Sequence, residues 1–347
     1  MDSVTRWLDR RLWQPRADAL SRGIARGLSI SVFVLTLAIV TRTSVAQTII
    51  PPDVEEGGVA AERSSPNFFI VNDNSISYHY EFTATNPGAG VTGKHVISLS
   101  HFDVWRYGTN FINVDWLRAT NGTTTPASPC GFPNPNTGCP GYTEWYGLVR
   151  STLAWNKIFS TQTFNIGPLT DVSFLVGADL NTDNTTLQSR KRSIEGGIQF
   201  SLATPYEGFL NAGFVAYKEW QNDQIAATLG TNPSGNVNFD TTWGIEIQYN
   251  QPLGFLPKNI PLTYNALITL HGPKGAGEPG APPRVMETYL QQTLSLDLGQ
   301  VIAGKPRFVS LWAGFRWWEN KFGLNPSTSG LCCTTESTWM IGTTFKL

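Results

Sequence analysis

Along most of the chain beyond residue 70, apolar residues recur at every second position, a period that specifies strands and not helices. Ile76, Tyr78, Tyr80 and Phe82 alternate with Ser77, His79, Glu81 and Thr83; Trp243, Ile245, Ile247 and Tyr249 alternate with Gly244, Glu246, Gln248 and Asn250. Successive side chains of a strand point to opposite faces, so each such segment has one apolar and one polar face. Twelve runs are predicted, at 75–84, 95–105, 110–119, 143–155, 171–180, 191–203, 208–220, 238–250, 261–271, 284–298, 306–318 and 336–347. Their lengths are near the roughly 9 to 11 residues with which a tilted strand crosses a bilayer. After residue 47 no segment reaches the roughly 18 consecutive apolar residues of a spanning helix, which excludes a helical membrane protein.

The connections alternate in kind. Those at 120–142, 181–190, 221–237, 272–283 and 319–335 are long and rich in Gly, Pro, Asn, Thr and Ser, whereas 106–109, 204–207, 251–260 and 299–305 are mostly shorter. Long outside loops alternating with short periplasmic turns are the mark of a transmembrane barrel with both ends in the periplasm. The gap 156–170 is too long for this scheme and implies either a missed strand or an elaborate turn, so the strand count of twelve carries a margin of two. The ten Trp beyond the leader fall mostly near run ends, where aromatic girdles sit. Trp339, Ile341, Thr343, Phe345 and Leu347 alternate to the last residue, with Leu where such barrels usually end in Phe or Trp. In lipid every backbone amide needs an internal partner, so the strands must close on themselves. The expected fold is all-β: a transmembrane, antiparallel, up-and-down β-barrel of about twelve strands. Its lumen would be wider than that of eight-stranded barrels and narrower than that of porins with open channels.

Composition sharpens this picture. Charged residues are 15% and the formal net charge is −1, so nothing in the charge suggests nucleic acid as a partner. Aromatics at 12% and 33 Gly suit alternating strands better than a helical bundle. At the N-terminus, Arg6, Arg10, Arg11, Arg16, Arg22 and Arg26 precede the 13-residue apolar run Leu28 to Val40 and a small-x-small step, Ser44-Val45-Ala46. This predicts a signal peptide over 1–46 for Sec-type export, then a periplasmic segment over 47–74 and the barrel over 75–347. An uncleaved anchor is the alternative, and the leader's length leaves a downstream translation start open. Cys130 and Cys139 bracket a turn-forming sequence that would close a small disulfide loop in an oxidising compartment; Cys332 and Cys333 are adjacent. No Cys-x-x-Cys pair or His cluster favours a metal, and no cofactor motif is present.

The polar faces carry the candidate chemistry. Glu81, Asp115, Arg150, Glu195, Glu246, Glu287, Tyr289, Trp312 and Arg316 are predicted to face the lumen, where carboxylates, Arg and aromatic rings could bind a polar, ring-containing solute. The bland alternative for each is that opposite charges pair across a wet interior. The facing of 95–105 and 208–220 is ambiguous, which leaves His101, Asp103 and Lys218 unassigned. Ser100 and His101 are neighbours, but neighbours on a strand point apart, so they cannot form a local catalytic pair. No Gly-x-Ser-x-Gly elbow or His-Glu-x-x-His helix occurs, which argues against an enzyme.

The segment His95-Val-Ile-Ser-Leu-Ser-His101-Phe-Asp-Val-Trp105-Arg-Tyr-Gly108-Thr-Asn-Phe111-Ile-Asn-Val-Asp115-Trp116-Leu resembles the nucleoside-specific, Tsx-like outer-membrane channels. There a Glu-or-Ser-His step runs through a Trp and Gly turn into an aromatic strand ending near an Asp. The resemblance is specific over roughly residues 75 to 119 and architectural beyond. It implies a monomeric barrel of about twelve strands in the bacterial outer membrane, passing nucleosides by diffusion and serving in some members as a bacteriophage receptor. The expected function is thus a passive channel for small polar solutes, nucleosides among them, in contact with outer-membrane lipids. The competing readings are a docking barrel whose long loops are the working part and, less favoured, a lipid-modifying enzyme.

Overall fold

In the computed structural model, residues 68–87, 90–120, 142–184, 190–222, 232–257, 259–330 and 333–347 are described. The predicted leader and the Cys130–Cys139 loop lie outside them. The alternating runs become β1 (Phe69–Asn86), β2 (Gly90–Trp105), β3 (Gly108–Ala119), β4 (Thr143–Ala154), β5 (Leu169–Asp183), β6 (Arg192–Thr204) and β7 (Gly208–Asn222). They continue as β8 (Asn236–Asn238), β9 (Thr242–Pro252), β10 (Leu262–His271), β11 (Glu287–Asp297), β12 (Val309–Glu319) and β13 (Glu336–Lys346). Twelve of these form one closed antiparallel sheet. Each pairs with its neighbours in sequence, and β1 pairs with β13, Ile76 opposite Phe345 and Tyr80 opposite Ile341. The three-residue β8 pairs only with the end of β7 and stands outside the ring.

Three departures from the sequence expectation have a local reason. The run at 238–250 divides, because Phe239 turns into a loop core and only the part from Thr242 joins the wall. The sheet also begins at Phe69 instead of 75: the stretch Phe68-Phe69-Ile70-Val71 has no alternation to reveal a strand, yet Phe69 pairs with Trp105 and the Phe68 ring stacks on Trp105 at 5.8 Å. The over-long gap at 156–170 is an elaborate turn and not a missed strand. A single helical turn, Trp155–Ile158, puts Trp155 against Phe159, Phe164 and Phe174 at 4.6, 5.7 and 5.5 Å, and the Asn156 side chain accepts from the Phe164 amide at 3.2 Å.

The two faces of the wall are of opposite character. On β6, Ser193, Glu195 and Gln199 are buried while Ile194, Ile198 and Phe200 are exposed. Tyr78 and Phe82 on β1, Val176 on β5 and Ile341 on β13 continue the apolar exterior. A soluble protein does not leave so extended an apolar belt in water, whereas lipid requires it. At the long-loop end the belt is bounded by outward tryptophans, among them Trp145, Trp243 and Trp339, at 50%, 46% and 66% exposure. Trp116 lies directly opposite Trp145 across β3 and β4. Such rings sit at the membrane–water interface. The chain folds as an outer-membrane-type barrel, its wall strands paired into one closed sheet and the amides of Thr83 and Thr85, at a bulge in β1, donating to the Thr338 and Glu336 side chains.

Candidate functional site

The inward face encloses a cavity of about 570 Å³. Ser77, Ser310 and Thr344 line one end, toward the short turns, and Lys191, Lys321 and Phe322 the other, toward the long loops. Of the residues assigned to the lumen from sequence, Asp115, Arg150, Glu246, Glu287, Tyr289, Trp312 and Arg316 line it. Glu81 and Glu195 point the same way but are buried beneath their arginines.

Four ion clusters organise the interior. Arg150 on β4 donates through Nη1 to Asp179 at 2.8 Å and through Nη2 to Glu246 at 2.6 Å, and its Nε lies 2.5 Å from Glu195. One guanidinium thus ties together carboxylates from β5, β6 and β9. The space for it comes from Gly177, where a Cβ would sit 2.5 Å from the Glu195 carboxylate and 2.7 Å from Arg150 Cδ. Arg316 on β12 donates to Glu81 at 2.6 Å and through Nη2 to the Gln291 carbonyl at 2.8 Å, and lies 3.5 Å from Glu336. Lys321, just beyond β12, completes that group with Nζ donating to Glu336 at 2.9 Å and to the Thr85 carbonyl at 2.6 Å. Lys94 on β2 donates to Glu144 on β4 at 2.8 Å.

The fourth cluster closes part of the mouth. Lys274, in the loop after β10, donates to Glu219 on β7 at 2.6 Å, and Tyr217 and Gln221 donate to the same carboxylate. Lys274 is 1% exposed; burial holds its ammonium below the usual lysine range, and Glu219 and Glu287 oppose that shift. The same loop accepts from Asn238 and Asp240 amides through the Gly277 and Lys274 carbonyls, and the Val285 amide donates to Gly323. Phe239, fully buried, sits under Lys274 at 4.9 Å and Arg284 at 5.3 Å. Three loops therefore share a small core at the outer end of the lumen.

Between the clusters runs a series of aromatic faces. Trp312, Tyr289, Trp318 and Phe322 line one wall, Tyr289 meeting Trp318 edge-on at 5.4 Å and Trp318 meeting Phe322 at 5.8 Å. Their polar atoms are fixed: Trp318 Nε1 donates to Glu287 at 2.8 Å, Trp312 Nε1 to Thr344 at 3.1 Å, and the Tyr289 hydroxyl to Gln291 at 2.7 Å. Across the lumen stand Asn113 and Asp115, whose carboxylate accepts from Asn113 at 2.7 Å and forms no ion pair with a described residue. With Lys191 3.8 Å from Glu219 and Glu287 3.8 Å from Lys274 added to the fourth cluster, Asp115 and the four clusters together hold nine carboxylates and six Lys or Arg, an acidic surplus.

Sequence reasoning missed Lys94, Lys191, Glu219, Lys274, Lys321 and Glu336. The facing of 208–220 was open in the sequence, and the structure turns Tyr217, Glu219 and Gln221 inward; Lys274 and Lys321 come from loops, where no period exists. The unassigned residues of the ambiguous runs face outward. His101 Nε2 lies 3.1 Å from Asp103, and Lys218 bonds the Phe239 carbonyl. Ser100 faces the lumen and bonds Asn113 at 2.6 Å, so Ser100 and His101 do part to opposite faces. Among the described residues no group of three His, Cys, Asp or Glu could hold a metal ion.

No family model matches the chain, and no curated protein matches it. Solved structures similar to it include the outer membrane protein OpdK from Pseudomonas aeruginosa, at 9% identity over 80% of this chain and 98% of that one, with a TM-score of 0.35. OccAB1 from Acinetobacter baumannii is 10% identical over 82% and 98%, with a TM-score of 0.34. The β domain of the Bordetella autotransporter BrkA is 9% identical over 79% and 98%, with a TM-score of 0.32. Similarity of this degree says nothing of what this chain passes or binds.

Proposed function

We propose that the protein is an outer-membrane channel through which small polar solutes cross down their gradient, and that nucleosides are its preferred solutes. The wall Trp312, Tyr289, Trp318 and Phe322, facing Asn113 and Asp115 across one continuous cavity, carries this reading. Aromatic rings stack on a base at about 1–3 kcal/mol each, while amides and carboxylates accept the hydrogen bonds of a base edge or a ribose. Passage needs contacts weak enough to release the solute, and a series of similar faces meets that need better than one deep pocket. The acidic surplus disfavours anions, so a neutral nucleoside suits the lumen better than its phosphorylated counterpart. The reading involves no covalent step.

Single-channel recording in planar bilayers tests it. Discrete steps interrupted by adenosine and thymidine, but not by a sugar or by the corresponding nucleoside monophosphates, are expected. Tyr289→Ala should weaken the interruption by roughly tenfold, the equivalent of about 1.4 kcal/mol of stacking. Steps indifferent to nucleosides would reduce the protein to a general pore, and absence of conductance would remove the channel reading altogether.

A further inference from the structure

The outward face also holds a built hollow that the passage of solutes does not use. In one row across the wall, Val114 of β3 lies opposite Gly147 of β4, Gly147 opposite Leu180 of β5, Leu180 opposite Arg192 of β6, and Arg192 opposite Trp220 of β7. With hydrogen in place of a side chain, Gly147 leaves a notch in this row. A Cβ there would have only the Leu180 Cβ near it, at 4.0 Å. Leu180 and Trp145 flank the notch at 59% and 50% exposure. The notch opens into a hollow of about 670 Å³ whose other lining includes Arg190, Arg192, Asn222 and Asn236.

The charge around this hollow has one sign. Arg190 and Arg192 are exposed, and neither forms an ion pair with a described residue. No residue that lines the hollow is acidic, and Asp115, Glu144, Asp179, Glu195 and Glu219 of these strands face the lumen on the far side of the wall. The height is equally informative: Trp145, in the outward tryptophan ring of the long-loop end, and Arg190 lie two residues nearer that end than Gly147 and Arg192, which share a row, so the long arginine side chains reach the headgroup level while the notch lies against acyl chains. Exposed guanidinium groups at that depth bind phosphate oxygens bidentately, and basic pockets at a membrane surface select phosphorylated lipids.

We propose that this hollow binds a phosphorylated glycolipid of the outer leaflet, a molecule of the lipid A type, with a phosphate between Arg190 and Arg192 and an acyl chain laid over Gly147. The proposal rests on the membrane placement of the barrel and is independent of which solute crosses it. Single-channel recordings and lipid binding can therefore fail separately.

Native mass spectrometry of the full protein in neutral detergent, titrated with bis-phosphorylated lipid A, provides the test. A one-to-one adduct is expected. Its occupancy should fall at least fivefold for dephosphorylated lipid A, for phosphatidylethanolamine, and for Arg190→Gln/Arg192→Gln with intact lipid A. Filling the notch with Gly147→Leu should lower it comparably. Arg106→Gln, an exposed arginine at the short-turn end, should leave it unchanged. A heat-dependent shift in gel mobility confirms that each variant is folded. Equal binding by the double arginine variant would overturn the proposal, as would equal loss in Arg106→Gln, which would mean undirected charge attraction. Full displacement by inorganic phosphate would overturn the lipid assignment in favour of a plain anion site, and binding confined to a polysaccharide or protein ligand would do the same.

Discussion

Arg150→Met is expected to destabilise the barrel by about 3–5 kcal/mol, the range found when one partner of a buried ion cluster is removed. The side chains involved are nearly inaccessible: 6% for Arg150, 6% for Asp179, 1% for Glu195 and 8% for Glu246. Each carboxylate was stripped of water when the barrel closed, and one guanidinium compensates all three. Methionine fills similar space but leaves three acidic groups facing one another in a medium of low dielectric. Equilibrium unfolding in guanidinium chloride, followed by tryptophan fluorescence, measures the loss. Combining Arg150→Met with Glu195→Gln and Glu246→Gln should recover a substantial part of it, because the uncompensated charge is then removed along with the arginine. A single variant within about 0.5 kcal/mol of the parent, the size of an ordinary surface substitution, would show that the cluster does not hold the strands together. The same variant should raise cation preference in single-channel recordings, since Arg150 lines the cavity and its loss deepens the acidic surplus.

Glu219→Gln should act on the mouth and not on the wall. Glu219 is the carboxylate to which Lys274 donates, at 2.6 Å, and Lys191 lies 3.8 Å from it. With a neutral amide in its place, the buried Lys274 ammonium loses its main stabilisation, at a cost of about 3 kcal/mol, and the loop carrying it can leave where the wall cannot. A change of that size is roughly a hundredfold in the population of the open loop. Larger and more frequent open steps should follow, together with faster amide exchange over residues 272–286, while the exchange of β7 itself stays slow. Unaltered gating with unaltered exchange would mean that the backbone bonds of this loop, from Asn238, Asp240 and Val285, hold it without the lysine.

How far these groups could be anticipated depended on where each lies in the chain. On β1 and β9 the alternation of ring or aliphatic with polar residue set the inward face of Glu81 and Glu246, and a looser alternation on β11 and β12 that of Tyr289 and Arg316, because a strand in a bilayer has no third direction for a side chain. On β2 the run Phe102-Asp103-Val104-Trp105 mixes characters near the membrane edge, where outward polar residues are tolerated, and the period alone left His101 and Asp103 undecided.

Sequence by itself determined the class of fold, the number of wall strands to within two, the alternation of long loops with short turns, and the lumenal side of Glu81, Asp115, Arg150, Glu195, Glu246, Glu287 and Arg316. All of these follow from two local facts, the two-residue period of a strand and the need to satisfy every amide in lipid. Only the tertiary structure decided which charges meet: that Arg150 reaches carboxylates on β5, β6 and β9, that Lys274 bends in from a loop to Glu219, and that Val114, Gly147, Leu180 and Arg192 line up on the outside. Those meetings depend on the register between strands and on the closure of the sheet, which bring together residues up to about a hundred positions apart, and no periodicity along a single strand contains that information.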